Sequence, residues 1–280
     1  MNGVLERKQR PGEEHFERAE KIIAEDNTLI PPFWINKYKK EAARNWDIFY
    51  KRNQTKFFRD RHWVAKEFDE LAPIEGQDRG QDKAKVLLEA GCGVGNFLFP
   101  RLEANPNMYI FACDFSPRAI DFVKNSEAFD PLRCKPFVCD ITHEDALTKE
   151  VGKEMVDIAS MIFVLSAIAP ENHAKSIQHI ASTLKPGGTV LFRDYAVFDE
   201  AQIRFSKKKE SKLADNLYVR GDDIPAGTMS YFFSTQELED LFTNNGFTCA
   251  TLEYVYRETT NRAEDIAVDR IYIQGRFVKT

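Results

Sequence analysis

Short apolar runs alternate with helical stretches from Lys85 onward, and this alternation constrains the fold of the 280-residue chain more than any other feature. The apolar runs are KVLLEA, YIFACDF, KPFVCD, VDIASMIFVL and GTVLFRDY, and stretches such as SPRAIDFVKN and ENHAKSIQHIASTL separate them. Strands that alternate with helices at this spacing form a parallel sheet with helices on both faces. We therefore predict an α/β fold with a doubly wound, mostly parallel sheet.

The C-terminal end departs from this alternation. Two strand-like runs, TLEYVYRET and DRIYIQGRFVK, have only the polar loop TNRAED between them. Parallel neighbours need a long crossover, so two strands joined by a short loop are antiparallel. These runs bring the predicted sheet to seven strands with an antiparallel C-terminal edge.

The first 71 residues lack the alternating strand and helix pattern. They are polar at first, Pro31 and Pro32 interrupt them, and residues 33–71 favour helices with a loop near Asn53. The polar linker APIEGQDRGQDKA then precedes the first strand. We predict a helical N-terminal extension over residues 1–71 and one main domain over residues 72–280.

Composition and cysteine spacing exclude several classes. The chain is 43% hydrophobic and 30% charged, and no apolar run reaches the roughly 18 residues of a membrane span. The first residues lack the apolar centre of a signal peptide, and their glutamates argue against a transit peptide. We expect a protein of the cytoplasm, or also of the nucleus, without a membrane partner. The five cysteines form no C-x-x-C pair, which predicts neither a metal site nor a disulfide.

Two basic islands lie on this acidic chain, whose formal net charge is -5. From Lys37 to Lys66 there are ten lysines and arginines against three acids, and from Ile203 to Arg220 there are six against two. Single islands of this kind are usually solvated loops. Two in one chain favour a polyanionic substrate.

The first island contains NWDIFYKRNQTKFFRDRHW, residues 45–63, with six aromatic rings among its cations. Rings and cations together suit contact with a flat, anionic ligand such as single-stranded nucleic acid. An amphipathic helix that packs its rings inward explains the same pattern equally well.

The segment LLEAGCGVGNF places three glycines, Gly91, Gly93 and Gly95, directly after an apolar strand. Such a turn lies at the carboxyl end of a parallel sheet, where glycines let the backbone approach a ligand. A dinucleotide fingerprint has its third glycine at position 96, which here is Asn96.

With Glu89 before it, the turn instead resembles that of the class I S-adenosylmethionine-dependent methyltransferases, which have a Rossmann-like fold. Asp114 at the end of YIFACD, Asp140 at the end of FVCD and the turn LKPGGTVLF match that family in order. The resemblance implies that Asp114 binds the ribose hydroxyls and that Asp140 lies at the adenine amino group.

Several segments closely resemble the tRNA 3-methylcytidine methyltransferases, which modify cytidine 32 of the anticodon loop. They are NWDIFYKRNQTKFFRDRHW, LLEAGCGVGN, FACDFSPRAI, MIFVLSA, VLFRDY and NLYVR, so the resemblance runs from about Trp46 to the C-terminus. NWDIFYKRN looks most like the branch that acts on serine tRNAs, which implies seryl-tRNA synthetase as a partner. The insertion GDDIPAGTMS departs from the family pattern.

Three groups of residues have expected roles, and the resemblance implies the first of them. Those expected to hold S-adenosyl-L-methionine, and its product S-adenosyl-L-homocysteine, are Trp46, Tyr50, Glu89, Gly91, Gly93, Gly95, Asp114, Asp140, Ile141 and Ile162, of which Trp46 and Tyr50 form a lid and Ile162 lies beside the adenine. The chemistry of the reaction adds the other two groups. Those expected to bind tRNA are Phe57, Phe58, His62 and Trp63 as walls for the base, Lys51, Arg52, Arg59 and Arg61 at phosphates, and Lys207, Lys208 and Arg220 in the second island. Those expected at the reacting base are Asp194, with Arg193 and Tyr195 shaping the pocket.

Chemistry explains the last group. Cytosine N3 has a free lone pair at neutral pH, so positioning should dominate the rate. The methylated base becomes a cation, and a carboxylate beside it would favour the transition state. We predict that Asp194 is this carboxylate; a helix cap or a salt bridge is its alternative role.

Two other functions stay open on the sequence. One is a small-molecule methyltransferase with solvated basic islands, and the other is a non-catalytic scaffold that binds tRNA or a synthetase. The tRNA subset, the need for a partner, the oligomeric state and the role of GDDIPAGTMS are not determined by the sequence.

Overall fold

The computed structural model describes residues 9–72, 85–220, 227–261 and 266–280. Most of the predicted linker, residues 73–84, and the first six residues of GDDIPAGTMS lie outside this range. The helices are α1 (Glu13–Glu25), α2 (Pro32–Lys40), α3 (Ala42–Asn53), α4 (Val64–Glu67), α5 (Leu98–Ala104), α6 (Pro117–Lys124), α7 (Ala146–Val151), α8 (His173–Thr183), α9 (Glu200–Ser206) and α10 (Thr235–Thr243). The strands are β1 (Lys85–Ala90), β2 (Met108–Asp114), β3 (Cys134–Val138), β4 (Val156–Ile162), β5 (Leu184–Tyr195), β6 (Lys212–Ala214), β7 (Leu217–Val219), β8 (Met229–Tyr231), β9 (Phe247–Asn261) and β10 (Ile266–Lys279).

Seven strands form the main sheet, in the order β3-β2-β1-β4-β5-β10-β9. Strands β1 to β5 are parallel, and β10 pairs antiparallel with both β5 and β9. The predicted sheet and its antiparallel edge are therefore confirmed. Chain order reverses between β1 and β4, and the crevice at that point is where open α/β sheets bind ligands.

The core explains why these runs are strands. Leu87 and Leu88, on opposite faces of β1, are both fully buried, which fits a central strand covered by helices on both sides. Farther along the sheet, Phe242 of α10 stacks on Phe277 of β10 with ring centroids 3.7 Å apart. Helix α10 is capped by Ser234, whose hydroxyl accepts a hydrogen bond from the Glu237 amide.

The N-terminal helices pack on the main sheet's helices. Asp47 of α3 accepts hydrogen bonds from the Ser116 hydroxyl (2.8 Å) and the Arg118 amide (3.2 Å) at the start of α6. His15 of α1 contacts the carbonyl oxygen of Phe198, just before α9, at 2.8 Å. The extension is thus held against the main sheet; whether residues 1–71 form a domain of their own stays a prediction.

A second, three-stranded sheet has the order β6-β7-β8 and follows α9. The Ile30 amide donates to the Lys212 carbonyl at 3.0 Å, which joins the N-terminal segment to β6. The segment between β5 and α10 therefore forms one structure with residues from the start of the chain.

Asp199 is the buried ionic anchor between α9 and β10. Its carboxylate accepts hydrogen bonds from Nε of Arg270 (2.9 Å), from the Ile271 amide (2.7 Å) and from the Ala201 amide (2.8 Å). The side chain is fully buried, so its removal leaves three donors without their acceptor.

We expect Asp199→Ala to lower the free energy of unfolding by about 3–5 kcal/mol, as for a broken buried pair. Glu150→Ala removes an ion pair with Lys135 whose side chains are each 44% exposed, and should change that free energy by less than about 1 kcal/mol. Urea denaturation of both variants measures the difference. Equal losses would contradict the anchoring role of Asp199.

Candidate active site

The glycine turn after β1 leaves no room for side chains. Gly91, Gly93 and Gly95 have φ angles of 62°, 53° and 94°, which L-residues rarely adopt. A Cβ at Gly91 would lie 2.7 Å from a methyl carbon of Val164, and one at Gly93 would lie 2.9 Å from the Tyr50 hydroxyl oxygen. Only glycine therefore lets the backbone pass between helix α3 and the residues that follow β4.

Asp114, at the end of β2, holds this turn in place. Its Oδ2 accepts a hydrogen bond from the Gly93 amide and its Oδ1 accepts one from the Ser116 amide, both at 2.9 Å. Burial raises the pKa of Asp114 to about 6, although these two hydrogen bonds oppose the rise. Each carboxylate oxygen has a second lone pair, so Asp114 can still accept hydrogen bonds from a ligand.

Asp140 follows β3 and is partly exposed. Its Oδ1 accepts from the amide of Thr142 at 2.9 Å and from the hydroxyl of Thr142 at 2.7 Å, which fixes the loop after β3. Oδ2 lies 3.8 Å from Nε2 of His143.

Two adjoining cavities open at the switch point of the sheet. The first, of about 160 Å³, extends from the glycine turn past the ends of β2 and β3, and Asp114, Asp140, Ile141 and Thr142 are among its lining residues. The second, of about 230 Å³, extends from the same turn toward β5 and β10. The residues that line both cavities are Trp46, Tyr50, Gly91, Phe163, Ala167 and Met229.

Helix α3 supplies the wall that both cavities share. Trp46 is 9% exposed, and its Nε1 is buried without a hydrogen-bond partner in the part of the chain that the structure describes. Burial, and next to it the charge of Asp114, raises the pKa of Tyr50, so its hydroxyl stays neutral. The helix thus presents an indole donor and a phenol at the cavities.

A buried acid, Glu89, and a partly buried cation, Arg61, lie next to the turn. Burial raises the pKa of Glu89 to about 8 against the opposing charge of Arg61, so the carboxyl is mostly protonated at neutral pH. Arg61 donates from Nη1 to the Ile162 carbonyl at 2.9 Å, and its amide donates to the Asn96 carbonyl at 2.8 Å. Asn96 occupies the position where a dinucleotide site has glycine. Its side chain donates hydrogen bonds to the Phe58 carbonyl and the Asp60 carboxylate, and so joins the turn to the basic segment, residues 45–63.

Asp194 lies behind the second cavity. It is fully buried, and its carboxylate accepts hydrogen bonds from the amides of Ser166 and Tyr195, both at 2.9 Å. Burial raises its pKa to about 6. Ser166 and Tyr195 line the second cavity, whereas no aspartate or glutamate does so among the described residues. The contacts of Asp194 are therefore those of a residue that positions the cavity wall.

Aromatic rings dominate the second cavity. They come from the basic segment, the glycine turn, the ends of β4 and β5, and β10, and are Phe58, Trp63, Phe97, Phe163, Tyr195 and Tyr272, beside Trp46 and Tyr50. Arg59, Arg61 and Arg220 are the cations in its wall. The cavity can hold a flat, uncharged ring, with cations available for an anionic backbone.

The predicted residues fall into three sets. Those that line a cavity are Trp46, Tyr50, Phe58, Arg59, Arg61, Trp63, Gly91, Gly93, Asp114, Asp140, Ile141, Tyr195 and Arg220. Those beside the cavities but outside their linings are Glu89, Gly95, Ile162, Arg193 and Asp194. Those exposed and outside both linings are Lys51, Arg52, Phe57, His62, Lys207 and Lys208. The roles given to all of them stay predictions.

Sequence reasoning missed several lining residues. Phe163 and Val164 directly follow β4, and the rule that ligands lie beyond strand ends at the switch point could have selected them. Met229 and Tyr272 come from β8 and β10, and no local motif marks them as cavity residues.

Comparison with known proteins identifies the family. Residues 57–252 match a family described as a methyltransferase domain. The chain is 48% identical over 260 residues to the human tRNA N(3)-cytidine methyltransferase METTL6, covering 93% of this chain and 88% of that protein. It is 44% identical over 252 residues to the tRNA N(3)-methylcytidine methyltransferase trm141 of Schizosaccharomyces pombe, covering 89% and 97%.

The chain belongs to the tRNA N(3)-cytidine methyltransferase family. Solved structures agree at the level of the fold. An S-adenosylmethionine-dependent methyltransferase from Anabaena variabilis has a TM-score of 0.58 at 11% identity, with 99% of both chains covered. The 1,6-didemethyltoxoflavin-N1-methyltransferase of Burkholderia thailandensis, solved with S-adenosylhomocysteine, has a TM-score of 0.57 at 15% identity, with 90% and 92% covered.

The residues fit the S-adenosyl-L-methionine that this family uses. The glycines at 91 and 93 leave the backbone bare at the mouth of the cavities, because a Cβ there would collide with Val164 or Tyr50. Asp114 retains acceptor capacity for hydroxyl groups, and Nε1 of Trp46 has no partner among the described residues. No group of three or more potential metal ligands occurs among the described residues. In the same part of the chain, no helix is both long and apolar enough to cross a bilayer.

We expect Gly93→Ala to weaken S-adenosylhomocysteine binding at least tenfold, because the new methyl group meets the Tyr50 hydroxyl. Gly187→Ala is the matched control: Gly187 has a φ of 74° with nothing within 4 Å of an added Cβ. Both variants carry about 1–2 kcal/mol of backbone strain. Titration calorimetry should show weakened binding only for Gly93→Ala, and equal affinities would contradict binding at the Gly93 backbone.

We also expect Glu89 to make folding stability fall as pH rises. Its pKa rises from 4.5 in the unfolded chain to about 8 in the folded one, so between these values the folded state binds a proton that the unfolded state has released. The Glu89→Gln variant has no carboxyl group at this position that could take up or release a proton. The free energy of unfolding should therefore fall more steeply from pH 5 to 8 in the natural chain than in the variant, and parallel curves would contradict a neutral Glu89.

Proposed function

We propose that this chain transfers the methyl group of S-adenosyl-L-methionine to N3 of cytidine 32 in the anticodon loop of a subset of tRNAs. The observation that supports this most directly is the pair of adjoining cavities. One has the acids Asp114 and Asp140 beside the glycine turn, and the other has aromatic walls with arginines at its rim. A nucleoside-containing cofactor and an extruded base need these two environments side by side.

The sulfonium group of the cofactor supplies the methyl group. Cytosine N3 is neutral and carries an in-plane lone pair, so no general base is required, and the chain contributes by positioning. N3 lies on the Watson–Crick edge, so the base must be unpaired and turned out of its stack, which an anticodon loop permits. Trp63, Phe163 and Tyr195 are then walls for the base, and Arg59 and Arg220 contact phosphates.

Asp194 has a supporting role in this proposal. Its carboxylate accepts hydrogen bonds from the Ser166 and Tyr195 amides and so orients two residues of the cavity wall. Asp194 therefore acts on the reacting base through these two residues. A cationic product is also favoured by the faces of the surrounding rings. Direct contact between the Asp194 carboxylate and the base stays a prediction.

The proposal includes a tRNA subset, a partner and a location. The sequence of residues 45–53 supports serine tRNAs as the subset and seryl-tRNA synthetase as the partner. We propose the cytoplasm, and also the nucleus, as the location, because no apolar run of the sequence reaches the length of a membrane span. An archaeal methyltransferase of similar fold was solved with its Trm112 activator, at 15% identity, which gives no direct support for a partner here.

Incubation of the purified chain with tRNA and S-adenosylmethionine should produce 3-methylcytidine, detected by mass spectrometry of digested nucleosides. Parallel reactions with purified serine and threonine tRNAs, with and without seryl-tRNA synthetase, identify the subset and the need for a partner. Asp114→Ala should abolish both product and S-adenosylhomocysteine binding. Asp194→Ala should retain binding and slow methylation at least tenfold, and Asp121→Ala, an exposed acid on α6, serves as the control.

Each rival function gives a different result. A small-molecule methyltransferase would bind the cofactor but show weak tRNA binding with little dependence on salt, whereas several phosphate contacts make affinity fall steeply with ionic strength. A scaffold would bind tRNA but not S-adenosylmethionine, even at millimolar concentration. Either result would overturn the proposal.

A further inference from the structure

Tyr272 is a wall of the second cavity that comes from β10, outside the region matched by the methyltransferase domain. Its ring centroid lies 5.4 Å from that of Phe163 and 6.1 Å from that of Tyr195. Phe163 and Tyr195 are themselves 5.1 Å apart. Three rings, one directly after β4, one at the end of β5 and one from the middle of β10, thus meet in the wall of the second cavity.

Two guanidinium groups hold the Tyr272 ring. Cζ of Arg193 lies 5.0 Å from its centroid and Cζ of Arg270 lies 5.3 Å from it. Arg270 is fixed by the fully buried Asp199, and Arg193 donates from Nη1 to Gln274 at 3.2 Å. A ring held by two neighbouring guanidinium groups is oriented before any ligand arrives, and preorganised walls are a property of binding sites.

The polar contacts of Arg193 and Gln274 extend from Tyr272 to α4 and to the basic segment. Gln274 donates from Nε2 to Glu67 of α4 at 3.3 Å, and Cζ of Arg193 lies 4.3 Å from the Trp63 ring. Trp63 and Tyr272 are therefore positioned by one set of contacts, although they are more than two hundred positions apart in sequence. Burial, as the largest cause, raises the pKa of Tyr272 to about 12, so the ring remains an uncharged phenol.

We propose that Tyr272 is a base-positioning residue, whose ring is a wall of the pocket for the target base. This inference rests on the proposed function, because it assigns the second cavity to an extruded pyrimidine. The Tyr272 ring is half-buried, lines a cavity and contacts two guanidinium groups. A ring of the hydrophobic core would instead be surrounded by protein on every side. Packing of a base against one aromatic side chain typically changes binding about fivefold to a hundredfold.

The test compares Tyr272→Leu, which removes the ring, with Tyr272→Phe, which keeps it. Tyr109→Leu is the matched control, because Tyr109 is a half-buried strand tyrosine at the far side of the sheet, outside both cavities. For each variant we would measure kcat/KM for tRNA methylation, S-adenosylhomocysteine affinity and Tm. An anticodon stem-loop RNA with pyrrolocytidine at position 32 reports base stacking by its fluorescence.

Tyr272→Leu should lower kcat/KM at least tenfold and reduce the fluorescence change, with S-adenosylhomocysteine affinity within twofold of the natural chain. Tyr272→Phe and Tyr109→Leu should stay within threefold in kcat/KM. Natural activity in Tyr272→Leu, or a Tyr272→Phe variant as impaired as Tyr272→Leu, would overturn the assignment. Should Tyr272→Leu lose S-adenosylhomocysteine binding through misfolding, Tyr272→Met replaces it with the same two outcomes.

Failure of the inference and failure of the proposed function are distinguishable. A natural chain that methylates tRNA while Tyr272→Leu does so equally well leaves the function intact and removes Tyr272 from the pocket. A natural chain that produces no 3-methylcytidine from any tRNA overturns the function, and the inference falls with it.

Discussion

The hydrogen bond from the Gly93 amide to Asp114 is the contact on which the site depends. It joins the turn after β1 to the end of β2, and the Cys92 amide adds a second bond to the Cys113 carbonyl at 2.9 Å. The two cavities extend from this turn in different directions, the first past the ends of β2 and β3 and the second toward β5 and β10. The position of one backbone segment therefore shapes both cavities.

Buried ionisable groups surround this contact. Glu89, Asp114 and Asp194 all have raised pKa values because the sheet ends exclude water around them. Arg61 is the partly buried cation beside them, and desolvation lowers its pKa. Natural proteins accept such costs at functional sites, where the low dielectric strengthens each remaining electrostatic interaction.

Much of the fold and the cofactor side followed from sequence, because local patterns encode them. Alternating strands and helices predicted the sheet, and Gly91, Gly93, Asp114 and Asp140 sit next to strand ends whose positions the apolar runs define. The second cavity, proposed for the target base, could not be predicted from local patterns. Tyr272 reaches the cavity through antiparallel pairing of β10 with β5, and Asp194 is turned away from the cavity by backbone amides, and neither outcome is visible in a short stretch of residues.

Helix α3 belongs to both cavities, since Trp46 and Tyr50 line each of them. A helix in this position cannot swing aside for one ligand without disturbing the other. Under the proposed function, the methyl donor and the target base would both contact this one twelve-residue helix. A substitution on its inner face is therefore expected to change the binding of both ligands together.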